Sequence, residues 1–240
     1  MSTATYTQDE VMAVAAARRL GNGDVVFVGI GLPSQACNLA RATHAPDCVL
    51  IYESGTIGAK PEHLPLSIGD GELAETADVV VSVPEIFAYW LQGGRIDVGF
   101  LGAAQIDRFG NLNSTVIGDY DHPKVRLPGA GGAPEIARAC REILVVLRQS
   151  PRAFVEQLDF RSSSGERVSA VITDLGILEP DPATRELVLT QVHPGVSVEA
   201  AVDATGWSLR VAVDVAVSDA PTGEELAALR SLKTTVEEET

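Results

Sequence analysis

Aromatic side chains supply only 5% of this 240-residue chain, and positive charge is scarce, with 18 Lys and Arg set against 33 Asp and Glu for a formal net charge of -15. Such a balance repels phosphate backbones and anionic headgroups, which argues against nucleic acid or a membrane surface as the main partner. Long apolar runs are missing too. None reaches the ~18 residues that a bilayer-spanning helix needs, and Met1 to Glu10 has neither the basic start nor the apolar middle of an export signal. A cytoplasmic protein is the expectation. Cysteine is sparse: Cys37, Cys48 and Cys140 are widely spaced, with no Cys-x-x-Cys pair for zinc or redox work. They read as small buried hydrophobes in a reduced compartment. His44, His63 and His193 lack partners at ligand spacing, so no metal is expected. The chain also lacks a G-x-S-x-G elbow and a G-x-G-x-x-G fingerprint, which sets aside an α/β-hydrolase triad and a dinucleotide-binding turn.

What is present is an aliphatic core. Hydrophobic residues make up 45%, enough for one domain over residues 1–240. Thr7 to Leu20 predicts a helix, with Asp9 and Glu10 at its start and Arg18 and Arg19 at its end, complementing the helix dipole. After Gly21-Asn22-Gly23 a continuous apolar strand, DVVFV, runs into a glycine turn, and Pro33 or Ser34 opens a second helix to about Ala42. Val49 to Gly55 reads as a buried strand with a polar tip, Val79 to Pro84 as strand, EIFAYWLQ as helix, Asp97 to Asp107 as strand, Ala133 to Glu142 as helix and Ile143 to Arg148 as strand. This alternation predicts an α/β fold with an open, mostly parallel sheet flanked by helices. RVSAVITDLGILEP and RELVLTQV have period-2 patterning and predict an added antiparallel C-terminal portion. The charged helix beyond Gly223 is expected to fray. Residues 110–132 are too polar and too rich in Gly, Pro, Asn and Asp for a helix or core strand, and read as a long functional loop.

Three glycine-rich turns follow strands: Gly29-Ile30-Gly31, Gly55 with Gly58, and Gly129-Ala130-Gly131-Gly132. Loops at the carboxyl ends of parallel strands converge where ligands bind. The second turn carries Glu53 directly after VLIY and before Ser54-Gly55. A carboxylate at the tip of a buried strand is partly desolvated, and so a stronger nucleophile if it stays ionised. The same residue also suits plain turn capping.

GIGLP at 29–33, YESG at 52–55, GAAQID with GNLNST over 102–115, IGDYDHPKVRLPGAGGA at 117–133 and TDLGIL at 173–178 together resemble the β subunit of family I CoA-transferases, most closely the glutaconate type. Any one G-x-G is weak, but five motifs in this order, spread over residues 5–220, are specific in combination. The resemblance implies the CoA-transferase (NagB/RpiA-like) fold and a ping-pong exchange of CoA between an acyl-CoA and a carboxylic acid. It assigns Glu53 as the nucleophile, forming first an acyl-glutamyl anhydride and then a glutamyl-CoA thioester. It implies no metal or redox cofactor, and a separate α subunit sharing the active site.

On the same resemblance, Gly131, Gly132 and Ala133 match the loop that stabilises the tetrahedral oxyanion, Gly29 and Gly31 the turn beneath the acyl group, and Gly55, Gly102 and Gln105 the rest of the pocket. Gln105 is expected to donate to an acyl carbonyl or to Glu53, or else to bond local backbone. Asn111, Asn113 and Ser114 read as loop-shaping residues. His122, Lys124 and Arg126 form a basic cluster that either meets CoA phosphates or a substrate carboxylate or pairs with Asp119 and Asp121. The acid is expected to be dicarboxylic or 3-oxo. Two other readings remain at this stage: a decarboxylase or hydrolase acting on a CoA ester with the same scaffold, and a non-catalytic α/β regulatory or sensing module.

Overall fold

The structure, a computed structural model, describes residues 5–232. The chain forms two compact units, one running to Phe100 and resuming at Ala220, the other comprising Leu101–Asp219.

The first unit begins with α1 (Gln8–Ala17). Its start is set by Thr7, whose hydroxyl accepts from the Glu10 N–H while the Glu10 carboxylate accepts from the Thr7 N–H, a reciprocal cap. Then come β1 (Val25–Val28), α2 (Leu32–Ala42), β2 (Val49–Tyr52), β3 (Thr56–Ile57), α3 (Gly71–Glu75), β4 (Val79–Val80), α4 (Val83–Glu85) and β5 (Val98–Leu101). The strand order is β5-β1-β2-β3-β4, with the first three parallel and the last two antiparallel. Val26, Phe27, Leu50, Ile51 and Tyr52 are buried in the centre, as expected of strands covered on both faces.

Two expectations are corrected here. The strand foreseen over Val79 to Pro84 is only the two-residue β4, an edge with Val79 and Val80 47% and 55% exposed, because the Ser82 hydroxyl accepts from the Glu85 N–H and starts α4 instead. The helix that follows is π-helical over Ile86–Leu91.

The second unit contains β6 (Gln105–Ile106), β7 (Leu112–Asn113), β8 (Val116–Gly118), β9 (Pro123–Arg126), α5 (Ala133–Ala139), β10 (Glu142–Val146), β11 (Val168–Ile172), β12 (Gly176–Pro180), β13 (Leu187–Val192), α6 (Val198–Asp203) and β14 (Arg210–Val217). Its main strands are ordered β14-β13-β12-β11-β10; β10 and β11 are parallel, and β11-β12-β13 is the antiparallel portion foreseen. TDLGIL forms the β11–β12 hairpin, where the Thr173 hydroxyl donates to the Gly176 carbonyl and accepts from the N–H groups of Leu175 and Gly176.

The strand expected from Asp97 to Asp107 is interrupted after Leu101 and resumes as β6, which pairs with β7. The expected loop at 110–132 is largely hairpin. β8 and β9 are joined by a tight turn in which Asp119 Oδ1 accepts from the N–H groups of Asp121 and His122, both at 2.9 Å.

The chain returns to the first unit with α7 (Gly223–Ser231), which packs on α1 and α2. It is fastened rather than frayed. Thr222 and Glu225 cap its start, Arg18 pairs with Glu225 at 2.7 Å, Arg230 with Glu10 at 2.7 Å, and Leu226 and Leu229 are buried. Burying the two leucines stabilises by ~1.5–3 kcal/mol each. The rest of that tail lies outside the described residues. No helix among the described residues is long and apolar enough to cross a membrane.

Candidate active site

Glu53 stands at the tip of a tight turn. The Gly55 N–H closes it onto the Tyr52 carbonyl at 3.0 Å, and β3 returns antiparallel to β2 through Ile51 and Ile57. Glycine is required at 55: φ is 112°, and a side chain there would run into the Val81 carbonyl. The Val81 N–H in turn donates to the Gly55 carbonyl at 2.9 Å. The turn is therefore held rigidly from below while its tip stays open. Glu53 is half-buried, and its carboxylate makes no hydrogen bond or ion pair among the described residues. The Ser54 and Thr56 hydroxyls beside it are buried without partners.

The neighbouring strand brings the first glycine turn alongside. β1 and β2 are parallel with Val28 opposite Tyr52, so Gly29-Ile30-Gly31 and Glu53 emerge side by side at the carboxyl edge. Gly31, at φ 82°, caps α2 without a side chain. Tyr52 ties the two elements together, its hydroxyl bonded to Ser34 Oγ on α2 at 3.3 Å. Burial pushes the Tyr52 pKa up to about 12, so the phenol is a neutral brace. A cavity of about 410 Å³ opens at the start of α2, lined by Ile30, Gly31, Ser34, Gln35 and the Leu64-Pro65-Leu66 segment. Gln35 Oε1 is buried there with no partner. Glu53 is not part of that lining. Sequence reading missed Ser34, Gln35 and residues 64–66; the unassigned Leu-Pro-Leu run was the available signal.

In the second unit, Gly102 is exposed just after β5, and Gln105 is fully engaged. Gln105 is 6% exposed; its Nε2 donates to Asp159 at 2.9 Å, and its Oε1 accepts from Asn113 Nδ2 at 2.7 Å and from the Asp159 N–H. Its amide binds other side chains and local backbone. Asn113 also donates to the Val116 carbonyl, and Asn111 bridges Asp107 and Gly165, both as loop-shaping residues.

The third glycine turn hangs from Ser114, whose carbonyl accepts from the Gly129 N–H. Gly131 has φ 51° with open space where a side chain would stand. The N–H groups of Gly131 and Gly132 carry no hydrogen bond among the described residues, whereas the Ala133 N–H donates to the Ala130 carbonyl at 3.0 Å. Two of the three expected oxyanion donors are therefore free. Of the basic cluster, His122 approaches Asp119 at 3.6 Å, and Arg126 lies over the Tyr120 ring and donates to its carbonyl. Lys124 makes neither kind of contact among the described residues.

The buried cysteines have thiols pushed up by burial, Cys140 to about 12, and His193 is wedged between Ser218 and the Thr173 carbonyl. These groups read as structural. Among the described residues no cluster of His, Cys, Asp or Glu is placed to hold a metal ion.

This arrangement has known relatives. The β subunit of the 3-oxoadipate CoA-transferase of Pseudomonas knackmussii is 60% identical over 95% of this chain and 94% of its own length. The β subunit of the glutaconate CoA-transferase of Acidaminococcus fermentans is 37% identical over 86% of this chain and 85% of its own. The crystal structure of that enzyme superposes with a TM-score of 0.88, covering 95% of both chains at 32% identity. The decarboxylase AibA/AibB superposes at 0.87 with 29% identity, over 95% of each chain. Residues 10–204 match the family Coenzyme A transferase, and the chain belongs to that family.

Proposed function

We propose that this chain is the glutamate-bearing β subunit of a two-subunit enzyme that moves CoA between an acyl-CoA and a carboxylic acid that is both dicarboxylic and 3-oxo, of the kind named in its 3-oxoadipate relative. The observation that carries the reading is the Glu53 carboxylate, presented half-buried and unbonded on a rigid turn. A carboxylate without internal donors keeps its lone pairs for an incoming thioester.

The exchange then needs no outside reagent. A Glu53 oxygen attacks the thioester carbonyl, the C–S bond breaks, and CoA leaves as thiolate from the acyl-glutamyl anhydride. The thiolate attacks Glu53 Cδ, releasing the first acid and leaving a glutamyl-CoA thioester. The second acid's carboxylate attacks the same Cδ and displaces the thiolate, which then attacks the new acyl carbon and frees Glu53. Each addition develops an oxyanion, and a preorganised N–H donor contributes roughly 10²–10³ in rate. The resemblance gives that role to the loop whose Gly131 and Gly132 N–H groups are uncommitted.

The reading is tested by a half-reaction. The α and β subunits, mixed with acyl-CoA and no acceptor, are expected to release about one equivalent of acid per active site and then stop. Continuous release identifies a hydrolase, continuous loss of carbon dioxide a decarboxylase of the AibA/AibB kind, and no release refutes ping-pong exchange.

A further inference from the structure

A second cavity, of about 310 Å³, lies wholly within the second unit and has no place in the exchange chemistry above. Its walls are Arg138 on α5, Arg161, the consecutive hydroxyls of Ser162, Ser163 and Ser164, and Glu166. On a chain of net charge -15 this lining is unusual. Both guanidinium groups are exposed, and neither makes a hydrogen bond or ion pair among the described residues. An acidic surface ordinarily supplies an arginine with a carboxylate, yet even Glu166, on the same cavity, is not paired with either.

The serine segment is built rather than loose. Ser163 is bridged to Leu112 through both backbone hydrogen bonds, at 3.0 and 3.1 Å. Gly165 donates to Asn111 Oδ1, and Arg167 donates to the Cys140 carbonyl at the end of α5. Ser162 Oγ is held by Thr115 at 2.6 Å. Ser163 is 4% exposed, and its hydroxyl is buried with no partner. An unbonded buried hydroxyl carries a desolvation cost that a ligand oxygen removes. Two unpaired guanidiniums, a preset hydroxyl and the flanking serines offer more donors than a carboxylate needs. They suit a tetrahedral dianion with three free oxygens.

We propose that this cavity is a phosphate site, and that the phosphate is one carried by the CoA ester. The second half of the statement rests on the transferase reading; the first half does not. Glu166 is the repulsive element, limiting how tightly a bare anion is held.

The test uses the two-subunit enzyme, with binding of CoA, 3′-dephospho-CoA and inorganic phosphate measured by calorimetry in the wild type, the Arg138→Gln/Arg161→Gln double variant, Ser163→Ala and Glu166→Gln. Thermal midpoints should stay unchanged in the arginine double variant, since both side chains are exposed and unpaired. The double variant is expected to weaken CoA at least about tenfold, in line with loss of a charge-assisted hydrogen bond. Ser163→Ala should weaken it less and Glu166→Gln should tighten it, with the wild-type affinity falling as salt is added. A loss confined to CoA assigns the 3′-phosphate, and an equal loss for both compounds assigns the diphosphate. Phosphate binding that the double variant abolishes while CoA affinity is untouched means that a free phosphate is the ligand. Unchanged affinity for all three in the double variant overturns the site. A wild type that binds phosphate but no CoA overturns the transferase reading alone.

Discussion

At the end of β2 the Glu53 carboxylate is half-buried and the Ser54 and Thr56 hydroxyls are buried, all without a hydrogen-bond partner among the described residues. At β6 the Gln105 amide, more deeply buried, has both ends occupied by Asp159 and Asn113. Both residues sit on or beside short strands, and in the sequence both look alike as candidates. Leaving buried polar groups unpaired costs free energy. A fold that does so at one turn and satisfies everything at another separates a place kept for a ligand from a place kept for stability. Gly55 and Gly131 repeat the contrast, one glycine wedged against backbone and the other facing open space.

The contrast breaks most visibly at Glu53. Glu53→Ala is expected to lower exchange by at least about 10³-fold, as loss of a covalent nucleophile does. Its stability in urea should stay within about 0.5 kcal/mol of wild type, since no hydrogen bond is lost. Gln105→Ala should do the reverse: denaturation loses about 1–3 kcal/mol because Asn113 and Asp159 are orphaned, while turnover of the folded enzyme changes less than tenfold. Gly55→Ala is expected to cost about 1–3 kcal/mol through strain at positive φ, against about 1–2 kcal/mol for Gly131→Ala, where the loss should fall on kcat instead.

The smallest effect is one of pH. Burial, partly offset by the Thr173 hydrogen bond, holds His193 below its usual pKa of 6.5. The folded state thus binds that proton less readily than the unfolded one. Stability from this group is complete above about pH 6.5 and declines as pH falls below it. Urea midpoints at pH 7.5 and 5.5 should differ more in wild type than in His193→Asn, and equal differences would remove His193 from the account.

Much of the first unit was legible in the sequence because its signals are local. Thr7 and Glu10 mark a helix start, VVFV and VLIY are runs that only a doubly covered strand buries, and ESG places a carboxylate at a turn. The edge strand β4 is shorter than its sequence suggests because Val79 and Val80 have a core composition but an edge position, which tertiary pairing alone decides. Residues 110–132 hide their hairpins because side-chain hydrogen bonds from Asp119, Asn111 and Asn113 make the turns, and no hydrophobic alternation announces them. The fate of Gln105 depends on Asp159, 54 positions away. The α7 helix reads as loose in the sequence because its partners, Glu10 and Arg18, lie at the other end of the chain.

The most direct test is peptide mass mapping of the two-subunit enzyme after brief exposure to acyl-CoA without acceptor. The peptide containing Glu53 is expected to gain the mass of CoA less water, and hydroxylamine to remove it. An unmodified Glu53 peptide under conditions where exchange proceeds would contradict the assignment of Glu53 as nucleophile.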